Sequence, residues 1–296
     1  MTETTQVKCL VDARAQVGEG IIWDEQNQRI YWVDIAGYKI FETDPNDGST
    51  NCWNIGQHVG FAALTNKDNM VVAARNGFFR FDMKTRMLEP IVNPEPDFPD
   101  NTFNDGCVDP KGRLWAGTME MAPLRTKPKG SLYRLDSDGS CTKFCDGFYV
   151  TNGLAFSPDG KTMYVSDSES SVMRIWAYDY DCETGTPSNC RLFADLKEKG
   201  WAPDGATVDN EGGYWSAMVG SWKVARFNPD GSVDKLIDMP IQKPTKPLLV
   251  NGAMYVTSIS TNLEPGTKTR QPLAGGVFKV NVGHDAPAHP RWIDLT

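Results

Sequence analysis

Leu132-Tyr-Arg-Leu-Asp136 is a short apolar and aromatic run closed by a turn-forming residue. The chain repeats it in outline at Ile40-Phe-Glu-Thr-Asp44, Phe78-Phe-Arg-Phe-Asp82, Ile175-Trp-Ala-Tyr-Asp179, Val224-Ala-Arg-Phe-Asn228 and Val277-Phe-Lys-Val-Asn281. Each reads as a β-strand running into a hairpin. A second apolar strand precedes each one, centred in turn on Trp32, Val71, Trp115, Tyr164, Trp215 and Tyr255. The strand pair therefore recurs at about 40 to 50 residues, the period of propeller blades. Six pairs predict an all-β, six-bladed β-propeller.

The turn chemistry agrees. Asp109-Pro-Lys-Gly112, Ser157-Pro-Asp-Gly160 and Asp209-Asn-Glu-Gly212 stand just before second strands, and Pro45-Asn-Asp-Gly48, Ser137-Asp-Gly139 and Pro229-Asp-Gly231 follow third strands. Proline presets φ and glycine supplies the positive φ that tight hairpins need. No amphipathic helix of useful length competes, and Phe193 to Lys199 reads as outer strand and loop. A chain of 296 residues, 40% hydrophobic and without a linker or low-complexity tract, is expected to form one domain over residues 1–296. Either Val7 to Asp12 or Pro290 to Leu295 should supply the outer strand that closes the last blade, since an open edge invites aggregation.

Composition narrows the function classes. A net charge of −8 argues against nucleic acid and acidic membranes as partners, because both reward positive patches. Met1 to Lys8 is polar, and no segment approaches the roughly 20 apolar residues of a membrane helix, so a soluble, cytoplasmic protein is expected. The seven cysteines lack C-x-x-C spacing and read as free thiols of a reducing compartment, with a local Cys182–Cys190 bridge as the alternative. The three histidines and the absence of Gly-x-Ser-x-Gly leave little room for a serine-based triad. The chain is expected to act as a monomer or a small homo-oligomer on a small-molecule substrate.

In a four-stranded blade the innermost strand comes first and opens on the central channel. Counting back from the second-strand centres gives Glu19, Gly60 or Phe61, Asn104, Asn152 and Asp204. Four of the five carry side-chain oxygen, in Gly18-Glu19-Gly20, Asn104-Asp105-Gly106, Asn152-Gly153 and Pro203-Asp204-Gly205. One Asp-Gly or Asn-Gly pair is usually only a turn. Blades related by rotation, however, bring residues of equal phase to one point, and two carboxylates with one or two amide oxygens there form a central metal site for a hard divalent cation.

At these residues the chain resembles the gluconolactonase, regucalcin (senescence marker protein) and luciferin-regenerating enzyme family. The matching stretches are Val17-Gly-Glu-Gly20 with Trp23, Phe103-Asn-Asp-Gly106 running through Asp109 to Gly117-Thr-Met119, Thr151-Asn-Gly-Leu154 with Tyr164 and Asp167, and Pro203-Asp-Gly205. The resemblance spans about Val7 to Val280. It implies one divalent metal ion (Ca, Mg, Mn, Zn or Fe) held by Glu19, Asn152 and Asp204, with Asn104 positioning substrate. The implied activity is hydrolysis of sugar lactones, such as gluconolactone or a pentonolactone, to aldonic acids.

Two positions depart from that pattern. Many sugar lactonases of the family carry arginine where this chain has Thr102, and their substrate-contacting glutamate falls at Ala122, with Glu120 too early. Hydroxyl recognition should therefore differ, since guanidinium offers five donors and threonine one. The long connections Thr118 to Gly130 and Ser258 to Gly275 are expected as walls on the metal face, bringing Glu120, Met121, Arg125 and Asn262 as specificity candidates. Thr102 and His58 join them as substrate-binding candidates, and Trp201 and Trp222 are expected near that face. A divalent ion can bind the carbonyl oxygen while acidifying a water, with Asp204 as ligand and candidate general base. The alternatives are a non-catalytic, metal-binding regulatory propeller, or a broader esterase or organophosphate hydrolase on the same metal.

Overall fold

The computed structural model describes residues 6–121 and 125–295. Among them, six four-stranded antiparallel sheets follow one another. Strand β1 (Lys8–Val11) stands apart at the start. Blade one is β2–β5 (Gly18–Asp24, Arg29–Asp34, Lys39–Thr43, Thr50–Asn54) and blade two β6–β9 (Val59–Leu64, Met70–Ala74, Gly77–Phe81, Leu88–Val92). Blade three is β10–β13 (Asn101–Val108, Leu114–Glu120, Gly130–Leu135, Cys141–Phe148) and blade four β14–β17 (Thr151–Phe156, Thr162–Asp167, Arg174–Asp181, Thr186–Asp195). Blade five is β18–β21 (Ala202–Val208, Tyr214–Val219, Lys223–Phe227, Val233–Asp238). Blade six is β22–β24 (Pro244–Val250, Ala253–Ser258, Val277–Asn281), and β1 completes it. The amino-terminal segment is thus the one that closes the ring, with Lys8 opposite Lys279.

The architecture is the six-bladed propeller expected from the repeats. Second strands form its packing layer, and Trp32, Trp115 and Trp215 at one phase are buried with their indole N–H groups bonded to Thr43, Tyr180 and Asp209. The hairpins leaving the inner strands are pinned by aspartates. Asp109 Oδ1 accepts from the N–H groups of Lys111 and Arg113, and Asp209 Oδ1 from those of Glu211 and Gly213. At the other end, Asp34 accepts from the Gln16 and Val17 amides, and Asp167 from those of Tyr149 and Val150. These two aspartates fix where the inner strands β2 and β14 begin.

Each inner strand breaks register with its neighbour near that beginning, between Glu19 and Ile22, Val59 and Phe61, Phe103 and Asp105, Asn152 and Ala155, Pro203 and Ala206, and Pro244 and Pro247. A bulge bends its strand and re-aims side chains. Repeated six times around one axis, it turns the starts of the inner strands toward the channel.

All seven cysteines are free, so the Cys182–Cys190 bridge is not formed. Phe193 to Lys199 comprises the end of β17 and a 3₁₀ turn at Lys197–Lys199. No helix among the described residues is long and apolar enough to cross a membrane.

Candidate metal centre and its surroundings

Glu19, Asn104, Asn152 and Asp204 sit at the bulges of blades one, three, four and five, all buried at the channel mouth. Glu19 Oε2 accepts from the Gly20 amide at 2.7 Å, whereas Oε1 is buried without a partner. The Asp204 carboxyl is close enough to Glu19 for the two to influence each other's protonation. Among the described residues no basic side chain forms an ion pair with either. Burial, then Asp204 and Asp105, push Glu19 well above the carboxylate range. Burial, then Asp105, push Asp204 up to about 7. Two carboxyls that repel each other in a water-poor site, one with an orphaned oxygen, are the donor set a hard divalent cation would satisfy.

The amides are locked. Asn104 Nδ2 donates to Thr151 O and to Asn152 Oδ1, both at 3.0 Å, and Asn152 Nδ2 donates to Ser168 Oγ at 2.7 Å. Ser168 Oγ in turn donates to Pro203 O at 2.6 Å, next to Asp204. This chain runs across three blades and spends both N–H donors of Asn104, leaving its carbonyl oxygen for a substrate hydroxyl. Asn152 keeps a second lone pair on Oδ1 for a cation.

Beneath this layer lies a residue that sequence reasoning missed. Lys246, on β22 at the same phase, donates Nζ to Asp105 Oδ1 and to Gly106 O at 3.0 Å, and stands 5.1 Å over the Phe61 ring. Burial alone would lower its ammonium, but Asp105 and Glu19 outweigh that and raise it. Asp105 is fully engaged, accepting also from the Gly106 and Leu154 amides. Its place beside Asn104 is therefore structural. Two of the glycines that flank the acids make room for this layer. A Cβ on Gly205 would stand 2.6 Å from the Lys246 stem, and one on Gly106 would stand 2.6 Å from Phe61.

Thr102 and Glu120 bond to near neighbours. Thr102 is buried with its hydroxyl turned to Phe103 O, because the bulge after Phe103 points the next residue rather than Thr102 at the channel. Glu120 is held by Lys129 at the tip of β11, and its backbone carbonyl accepts from Arg125. Ala122 lies outside the described residues. His58 is half-buried in a side recess of the metal face, its Nδ1 unpartnered, and burial followed by Arg75 keeps the ring below its ordinary pKa. Trp201 and Trp222 lie in connections on the metal face, with Lys199 and Lys223 over the Trp201 ring.

The far end of the channel differs. A cavity of about 460 Å³ there is lined by Ile21, Phe61, Leu154, Lys246 and His289, among others. The carboxy-terminal segment crosses it. Asn210 N binds Asp285 O, Arg291 pairs with Asp24 at 2.7 Å, Trp292 N binds Leu64 O, and Ile293 N binds Gly112 O. Asp209, Glu211 and His284 also gather on this face. Arg226 already binds Asp209 at 2.7 Å and Glu211 at 3.2 Å, and Lys235 contacts His284, so that group is a filled ion-pair cluster.

Known proteins share this chain's sequence pattern and its propeller architecture. Residues 17–260 match the model of the SMP-30/gluconolactonase/LRE-like region. Regucalcin of Xenopus laevis is 34% identical over 93% of this chain and 94% of that protein. A 6-deoxy-6-sulfogluconolactonase of Pseudomonas putida is 34% identical over 98% of this chain and 99% of that enzyme. The crystal structure of a calcium-binding regucalcin from Agrobacterium tumefaciens superposes with a TM-score of 0.91 at 26% identity, covering 97% of both chains.

Proposed function

The chain belongs to the SMP-30/gluconolactonase/LRE-like family, and from that premise we propose that it is a metal-dependent lactonase opening aldonolactones to aldonic acids. The observation that carries the reading is the pair Glu19 and Asp204, two buried carboxyls that form no ion pair among the described residues, one of them with an orphaned oxygen. A relative of nearly equal length named for a gluconolactone derivative supports a six-carbon lactone as substrate.

A divalent cation held by Glu19, Asn152 and Asp204 would polarise the lactone carbonyl, a contribution of about 3 kcal/mol for a well-placed group. The rest falls to the chain. Hydrolysis joins a water oxygen to the acyl carbon, breaks the bond from that carbon to the ring oxygen, and moves one proton from the water to the ring oxygen. Asp204 is assigned the role of taking that proton and returning it. Asn104 holds a ring hydroxyl through its free carbonyl oxygen, and the relay through Asn152 and Ser168 keeps it from swinging. Lys246 and Asp105 close the floor, so the lactone enters from the metal face.

The test is proton release from five- and six-membered aldonolactones by metal-stripped protein before and after Mg²⁺, Mn²⁺, Zn²⁺, Ca²⁺ or Fe²⁺. Turnover that needs metal and disappears in Asp204→Ala upholds the proposal. Binding of metal without turnover of any lactone would favour a non-catalytic calcium-binding role, the reading suggested by the name of the Agrobacterium neighbour.

A further inference from the structure

Beside the channel mouth, four connections on the metal face enclose a separate recess of about 440 Å³. Tyr38 comes from the turn between β3 and β4, His58 from the approach to β6, Arg75 and Asn76 from the β7–β8 turn, and Phe98 from the approach to β10. Tyr38 and Phe98 present 39% and 50% of their surface to solvent. Tyr38 holds a left-handed φ of +60°, which is uncommon for a bulky residue and sets its ring beside His58, with centroids 5.2 Å apart. Arg75 gives one N–H to Pro99 O at 3.1 Å and has no carboxylate partner among the described residues. The one acid of the lining, Glu95, is taken up by Asn101, Thr118 and Tyr133.

Exposed aromatic faces suit the C–H face of a sugar ring, while amides and a guanidinium without a carboxylate partner suit its hydroxyls. The recess also adjoins the reaction site. Gly60, two residues after His58, abuts the Asn104 backbone so closely that a Cβ there would stand 2.7 Å from Asn104 N. Two strand residues span roughly 7 Å, about one sugar unit. We infer that the recess is a glycosyl subsite, which takes a second sugar joined to the lactone-bearing one, so that the substrates include disaccharide aldonolactones. This rests on the lactonase reading above.

The experiment compares kcat/KM for cellobionolactone and for gluconolactone in the metal-loaded protein, then in Arg75→Ala and Tyr38→Gly. Glycine accepts the φ of Tyr38, so that variant removes the ring without straining the backbone. The expected result is a preference for the disaccharide of about tenfold, which each variant reduces severalfold, as for loss of one stacking or charged contact. Equal use of both lactones, or a preference the variants leave intact, overturns the subsite while the lactonase reading stands. If neither lactone is opened, the lactonase reading fails, and calorimetry with cellobionate and gluconate decides the subsite. Tighter binding of cellobionate that Arg75→Ala abolishes supports it, and equal or absent binding overturns it.

Discussion

The two ends of one channel are built from the same six strands, yet they hold opposite chemistry. At the starts of the inner strands, bulges gather two carboxylates and two amides in a buried layer. At their far ends the strands line a mostly apolar cavity, and the carboxy-terminal segment spans it. Lys246 and Asp105 mark the boundary. Strand geometry alone therefore does not place chemistry. The bulge does, by choosing which residue of each strand faces the axis, and the side chain at that position then decides what the end can bind.

The contrast breaks most sharply at Asp204. Asp204→Ala should lower kcat/KM for an aldonolactone about 10³-fold, measured by proton release at saturating metal; a loss below tenfold would remove Asp204 from the reaction. Next comes the boundary. Lys246→Met leaves Asp105 buried without its partner and should cost about 3 to 5 kcal/mol by denaturant unfolding. Adding Asp105→Asn should recover part of it, and a single variant as stable as the parent would make the ion pair incidental.

A smaller effect separates the ends by pH. Because the folded protein raises Asp204 to about 7, it keeps a proton that the unfolded chain gives up near pH 4. Metal-free protein should accordingly lose up to a few kcal/mol as pH climbs from about 4 to 7. His58 and His289, both lowered by burial, act the other way in part of that range. The difference between the parent and Asp204→Asn isolates the carboxylate: the variant should gain relative stability as pH rises, and a divalent cation should stabilise the parent more at pH 8 than at pH 5. A flat difference would mean the acids are not held protonated. Least of all should respond the far cavity, where Ala288→Trp adds bulk. Lactone turnover within about twofold of the parent is expected, since strand packing and the Lys246 floor intervene; a larger loss would show that the two ends communicate.

The sequence made the ring legible because its strands repeat at one phase and its turns use glycine where φ must be positive. Glu19, Asn104, Asn152 and Asp204 stood out because oxygen-bearing residues beside glycine fell at equal phase. Lys246 did not, since Pro244-Thr-Lys-Pro247 has no glycine and a lysine in a predicted inner strand gives no sign of its partner 141 positions away. Ser168 was hidden for a related reason: its role is to bond Asn152 and Pro203, which only the folded ring brings together. The hydroxyl of Thr102 turns to Phe103 O beside the bulge of β10, a local contact that a linear count does not record. The side recess draws on four loops whose proximity no local pattern records.

Closure of the last sheet by β1 bears on how the molecule is made. During synthesis Lys8–Val11 is made before any of the six blades, while its partner Val277–Asn281 is made after the first five are complete. At about 5 to 20 residues per second, the first strand waits some 13 to 50 seconds for its partner. Throughout that interval the nascent chain carries an unpaired strand and an unfinished ring, the condition in which edge-to-edge association between neighbouring chains is easiest. Production of this protein should therefore be sensitive to translation speed and crowding on the message, even where the finished ring is stable.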